Sequence, residues 1–227
     1  MVVISHTFKF VFIKTHKTGG TAIETCLSSI LPDTDILTPI FPDEGEGHKA
    51  RNYKTNRGQF RNHMSAREVI EMLDNDCRDY FFWCVEREPI EKCLSHYAML
   101  KNSPQHGKDS KEMTWEDYLK RGDFPVDSTK YYSEFNSPFS KENILVDQII
   151  DYGNMRENLP IFLKERFKIQ NFNLNKSNAK SGFRDNKKNI PTIKEVTQHQ
   201  RDVIYNRFKT SNQICKEFGI DYHSNKV

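Results

Sequence analysis

No apolar stretch of this sequence approaches the roughly 20 residues that a membrane-spanning helix requires. The amino-terminal run MVVISHTFKFVFIKTHK is interrupted by His6, Lys9 and Lys14, so no membrane span is expected and a soluble, cytoplasmic protein is. Closely spaced cysteines are missing too. Cys26, Cys77, Cys84, Cys93 and Cys215 are odd in number and form no CxxC or CxxxC pair. They support neither a disulfide framework nor a zinc site and read as reduced core thiols. Nor does one charge dominate. The net charge is +3 with a pI near 8.5, too balanced for a dedicated nucleic-acid binder, whose basic residues prevail across the domain. A local anion site is compatible with that balance.

What is present is a chain able to bury a core. Its 227 residues are 36% hydrophobic and 12% aromatic, with sixteen Phe and nine Tyr, which excludes a disordered chain and fits one domain spanning 1–227.

Phe8–Ile13 (FKFVFI) is β-branched and aromatic and stops at a glycine-containing loop, which predicts a buried strand. From Thr21 to Leu31, Ala22, Ile23, Cys26, Leu27 and Ile30 recur at helical spacing. Residues 32–62 lack periodicity and are broken by Pro39, Pro42, Gly45, Gly47 and Gly58, a long loop or small excursion of the kind that often carries function. Ser65 with Glu68 forms a capping box opening a helix to about Leu73. Tyr80–Val85 lacks polar alternation and predicts a strand covered on both faces, and Pro89 opens a helix to about Lys101. Thr114 and Asp117 cap a further helix, Ile144–Val146 is a third strand candidate, and Glu157–Phe167 is a helix. Residues 171–189 are loop-like, and Thr192 with Glu195 caps a last helix reaching Phe218. Strands alternating with helices imply an α/β domain with a mainly parallel sheet flanked by helices.

Between the first strand and first helix stands Lys14-Thr15-His16-Lys17-Thr18-Gly19-Gly20-Thr21. Glycines let successive N–H groups turn toward one anion, and the helix amino terminus adds partial positive charge. Lys17 and the hydroxyls of Thr18 and Thr21 supply further charge and donors. A Walker loop is disfavoured, because the lysine precedes the glycines. Two glycines and two threonines before a helix also suit plain capping, so this loop alone leaves a structural turn open beside an anion site.

In Glu86-Arg87-Glu88-Pro89-Ile90-Glu91-Lys92-Cys93-Leu94-Ser95-His96-Tyr97, Arg87 leaves a strand end, where open α/β sheets bind ligands. Its planar fork suits a phosphate, and Ser95 adds a hydroxyl on the following helix. Pairing of Arg87 with Glu88 or Glu91 is the alternative.

Together the two segments resemble the PAPS-dependent sulfotransferases, which use 3′-phosphoadenosine-5′-phosphosulfate. The strand, Lys-Thr-Gly-Gly-Thr loop and helix resemble their 5′-phosphosulfate loop, and Arg87-x-Pro89-x-x-Lys92-x-x-Ser95-x-Tyr97 resembles their 3′-phosphate motif. Asn62-His63-Met64-Ser65-Ala66-Arg67-Glu68-Val69, Asp79-Tyr80-Phe81 and Leu174-Asn175-Lys176-Ser177 look like carbohydrate sulfotransferases of the Golgi heparan-sulfate and bacterial glycan type. Glu86, Glu88 and Lys92 stand where that family usually has an apolar residue, Asn or Asp, and Arg.

The resemblance implies a P-loop-like phosphosulfate-binding strand, loop and helix, with Lys17, Thr18, Gly19, Gly20 and Thr21 at the 5′ end of PAPS. Arg87 and Ser95 would hold the 3′-phosphate and Lys180-Ser181-Gly182 would close over it; no metal is required. Lys17 would offset charge on the leaving group. His63, matching the family's H-x-S segment, would be the general base for an acceptor hydroxyl, with a glycan as the expected acceptor. Its bland alternative is a histidine that supports the helix terminus. His16 reads as structural, and His48 and Glu46 are the remaining base candidates. Lys49, Arg51, Lys54, Arg57 and Arg61 would attract an acidic acceptor or form a solvated face. A nucleotide-dependent kinase and a non-catalytic nucleotide-binding protein stay open as other readings.

Overall fold

The computed structural model describes residues 2–40, 47–73, 77–102, 108–134, 140–174 and 190–222. Its main sheet has five strands: β1 (Val2–Ser5), β2 (Phe10–Ile13), β3 (Ile36–Leu37), β6 (Phe81–Glu86) and β7 (Gln148–Asp151), in the order β3-β1-β2-β6-β7. β4 (Lys54–Thr55) and β5 (Gly58–Gln59) form a separate exposed hairpin in the region read as a loop. β2 pairs parallel with β6, and β6 with β7, whereas β1 runs antiparallel to both β2 and β3. The sheet is therefore mixed. Parallel pairing needs a helical crossover, but only residues 6–9 separate β1 from β2, so that pair closes as a hairpin.

Helices cover both faces. α1 (Gly20–Ser28) and α6 (Met155–Phe167) pack Ile23, Leu27, Leu159 and Leu163 against Phe10, Phe12, Trp83 and Val85. α2 (Ala66–Leu73) and α8 (Lys209–Glu217) cover Val11, Ile13, Phe82 and Cys84 on the other side. Successive strand residues thus serve opposite faces, which is why neither β2 nor β6 shows polar alternation. α3 (Pro89–Asn102), α4 (Lys108–Glu112), α5 (Trp115–Arg121) and α7 (Gln198–Arg207) complete the helices named here, and α3, α5 and α7 share a third cluster around Tyr97, Trp115 and Tyr118. The five cysteines are buried and form no disulfide among the described residues.

Capping chemistry is largely as expected. Ser65 and Glu68 bond reciprocally ahead of α2, and Thr114 and Asp117 form a capping box on α5. Two element boundaries differ. The strand expected at Ile144–Val146 forms at Gln148–Asp151 instead. Leu145 donates its N–H to the Tyr132 carbonyl, whereas Asp147 donates its N–H to the Phe82 carbonyl at 2.7 Å and accepts the Phe82 N–H on its carboxylate at 2.7 Å, and only beyond it does the β6 ladder begin. Near the end of the chain, Thr192 and Glu195 close only a turn. Thr197 with Gln200 caps α7, and buried Phe208 separates it from α8.

Among the described residues no helix is long and apolar enough to cross a membrane.

Candidate functional site

Because β2, β6 and β7 are parallel, their carboxyl ends lie on one side, where the loop 14–19, Arg87 and Tyr152 follow them directly. That edge of an open sheet is where loops leave backbone donors uncommitted.

The loop is shaped by its small residues. Gly19 precedes α1 with φ +72, a left-handed conformation, and a Cβ there would meet Tyr152 and Met155 at 3.3 Å. A Cβ on Gly20 would meet the Lys14 side chain at 2.5 Å. With glycine before it, α1 has no side-chain cap, so its first N–H groups lack the partner a Ser or Asp would supply. Lys17 has φ +61 and His63 has φ +54, a conformation uncommon outside glycine and concentrated at sites where the backbone is held for a purpose.

The threonines divide their work. Thr15 donates its hydroxyl to the Val85 carbonyl and lies 2.9 Å from the Thr18 hydroxyl, which also donates to the Thr15 carbonyl at 3.1 Å. Thr18 is fully buried, and its hydroxyl braces the loop from within. Thr21 accepts from Lys14 Nζ at 2.9 Å and keeps its own proton for a further partner.

Lys14 was not legible as a site residue. Its ammonium is buried at the mouth of the loop, 3.7 Å from the fully buried Glu24 carboxylate. Lysine at a strand end normally reads as the point where the chain reaches solvent, so no sequence signal marked it.

Arg87 is 4% exposed and makes three kinds of contact. Its Nη1 donates to the Lys17 carbonyl at 3.3 Å, its Nε and Nη2 donate to Glu91 Oε2 at 3.2 and 2.9 Å, and its guanidinium lies 4.2 Å from the Tyr152 ring centroid. The two sequence segments are thereby joined, and the Glu91 pairing raised as the alternative is also realised. Ser95 is half-buried on α3. Glu88 accepts from the Tyr205 hydroxyl at 2.7 Å and is drawn away.

Lys92 is turned into the interior. It is fully buried, with Nζ on Glu86 and 2.7 Å from Asp127. Glu86 also accepts from Tyr132 OH at 2.8 Å. Burial alone would lower the Lys92 pKa, but the two carboxylates outweigh it and raise it; burial pushes Glu86 up. Asp127 is held down at about 2, its burial being outweighed by Lys92 and by His16. The extra carboxylate at position 86 is thus neutralised inside the protein and does not confront a bound anion.

Asp127 reaches the loop as well. Oδ2 accepts the His16 backbone N–H at 2.7 Å and Oδ1 accepts from the His16 ring Nδ1 at 2.8 Å. The His16 ring stacks on His63, centroids 4.1 Å apart and planes within 5°. His63 Nδ1 lies 3.1 Å from the Lys14 carbonyl. A carbonyl only accepts, so Nδ1 carries the proton and Nε2 the lone pair. Burial, with the nearby His16 and Lys14 charges, depresses the His63 pKa to about 2. Asp127 stands in a stretch that read as polar and broken, and nothing in the sequence tied it to residue 16.

Of the basic run, Arg51 is committed to backbone, donating to the Leu31 carbonyl at 2.8 Å, and Arg61 pairs with Glu68 at 2.7 Å. His48 is buried, with Nε2 3.1 Å from the Thr38 carbonyl. Lys180, Ser181, Gly182 and Glu46 lie outside the described residues. A cavity of about 540 Å³ lies elsewhere, along β7 and α6 and lined by Asp151, Ile161, Phe162 and Tyr222; the loop residues are not part of it.

Comparison with protein-family models, with curated proteins and with solved structures finds no match in any of the three.

Proposed function

We propose that this chain is a PAPS-dependent sulfotransferase that passes a sulfuryl group to an acceptor hydroxyl, with a carbohydrate as acceptor and the cytoplasm as its compartment. The observation that carries the reading is the junction of Arg87 with the Lys17 carbonyl at the carboxyl ends of parallel β2 and β6. A cofactor with phosphate groups at both its 3′ and 5′ ends needs two cationic sites at a fixed separation, and this contact couples the two segments that supply them.

In this reading the residues 14–21 act as a P-loop-like cradle. The amides at the start of α1 hold the 5′ end, and Lys17 offsets negative charge that grows on the leaving phosphate oxygen. Arg87 and Ser95 hold the 3′-phosphate, with Lys180-Ser181-Gly182 closing the site. Glu91 occupies the Arg87 fork at 2.9 Å but is itself half-exposed, so exchange of its carboxylate for phosphate costs little desolvation. The acceptor proton passes to one of the stacked histidines, the resemblance designating His63. No metal is needed in this scheme.

The test is transfer of radiolabelled sulfate from PAPS to a panel of glycans, lipids and phenols, with calorimetry of the 3′,5′-bisphosphate product against ATP–Mg²⁺. Label transfer with bisphosphate binding is expected. ATP–Mg²⁺ binding without bisphosphate binding would overturn the proposal in favour of a kinase.

A further inference from the structure

The two stacked imidazoles have unequal partners. His63 donates Nδ1–H to a neutral carbonyl, that of Lys14 at 3.1 Å, and its surroundings resist a positive charge. His16 is bonded through Nδ1 at 2.8 Å, and through its backbone N–H at 2.7 Å, to the two oxygens of one carboxylate, Asp127. That carboxylate is 2% exposed and clamped by Lys92 at 2.7 Å, so it is ionised and fixed in place. An ionised carboxylate on Nδ1 sets the tautomer that carries the lone pair on Nε2 and stabilises the imidazolium that forms when Nε2 takes a proton. The His16 side chain keeps 34% of its surface exposed and immediately precedes Lys17 in the loop.

We propose that His16, backed by Asp127, is the proton acceptor of the reaction, and that His63 is the ring that holds it flat. The inference rests on the sulfotransferase reading above and replaces His63 with His16 within it. As the acceptor O–H passes its proton to His16 Nε2, the oxygen's electron pair forms the new O–S bond. The S–O bond to the 5′-phosphate breaks, and its electron pair goes to the phosphate oxygen. The products are the sulfate ester, the 3′,5′-bisphosphate nucleotide and a His16 imidazolium that returns its proton to solvent. The groups facing His16 are Asp127 on Nδ1, the His63 ring on one face and the Tyr131 ring at 5.4 Å, with Lys92 and Glu86 behind Asp127. Asp127 is the negative group in contact.

The experiment compares His16→Phe, His16→Gln and His63→Phe with wild type, reading bisphosphate affinity by calorimetry and transfer at saturating PAPS. The aromatic variants keep a ring in the stack, and His16→Gln serves should His16→Phe fail to fold. Expected is bisphosphate affinity within about fivefold of wild type for the His16 variants, with transfer reduced by the roughly 10²- to 10⁴-fold of a removed base. That loss should exceed the loss in His63→Phe by about tenfold or more, and in a further variant, His16→Ala, added imidazole should restore part of the activity. A folded His16 variant that transfers within a few-fold of wild type overturns this inference alone, as does a His63→Phe loss equal to or larger than that of His16→Phe. Wild-type protein that binds no bisphosphate and transfers nothing overturns the sulfotransferase reading, and this inference with it.

Discussion

The guanidinium of Arg87 is closed on the carboxylate of Glu91, Nη2 to Oε2 at 2.9 Å, while its other arm reaches the Lys17 carbonyl. In the proposed reading, a 3′-phosphate would compete with a carboxylate for the same fork. Glu91→Gln should tighten binding of 3′-phosphoadenosine-5′-phosphate by about three- to tenfold, the effect of releasing an ion pair of roughly 1 kcal/mol. Calorimetry at low salt reads this directly, and weaker binding in the variant would mean that Glu91 orients Arg87 rather than blocking it.

Arg87→Ala should weaken the 3′,5′-bisphosphate far more than adenosine-5′-phosphate, which lacks the 3′ group. A difference of about 2 kcal/mol or more is expected for loss of a charge-assisted, partly buried pair. Equal weakening of the two nucleotides would move the 3′ site elsewhere.

Lys17→Ala should lower turnover more than it weakens the product nucleotide, because its assigned role is toward charge that appears only in the transition state. Single-turnover rates at saturating PAPS measure this. Unchanged rates would remove Lys17 from the chemistry and leave it as a loop residue held at φ +61.

Lys92→Met would strand two buried carboxylates, Glu86 and Asp127, without their cation. Breaking a buried pair from one side costs about 3–5 kcal/mol, so urea unfolding should show a loss of that order. A stable Lys92→Met protein that has only lost nucleotide binding would return Lys92 to the phosphate site.

His63 supplies a pH-dependent test of folding. Its folded pKa is depressed to about 2 from the usual 6.5, so below pH 6.5 the unfolded chain takes up a proton that the folded one refuses. The group's contribution to stability is thus present above pH 6.5 and is lost as the pH falls toward 2. At pH 5 the loss is about 2 kcal/mol. Thermal unfolding of His63→Gln should depend less steeply on pH between 7 and 5 than that of wild type; parallel curves would mean that His63 is protonated in the folded state.

Local chemistry was readable wherever neighbouring residues carry it. The capping boxes at Ser65–Glu68 and Thr114–Asp117, the helix opening at Pro89 and the two-faced strand at Phe81–Glu86 all follow from spacing within a few residues. The third strand was misplaced because Ile144-Leu145-Val146 has the composition of a strand, while the Asp147–Phe82 exchange that starts the ladder is a contact between residues 65 apart.

The sequence by itself determined the strands at β2 and β6, the helices that follow them, the glycine turn ahead of α1 and the residue types of the site, because these depend on backbone preference and side-chain chemistry at short range. Only the tertiary structure decided which of those groups are available. Lys92 and Glu86 pair in the interior, the Thr18 hydroxyl is buried, and Asp127, 111 residues along the chain, binds His16. The physical reason is that an ionisable group's role depends on what it is desolvated against, and burial brings together residues that spacing along the chain does not relate.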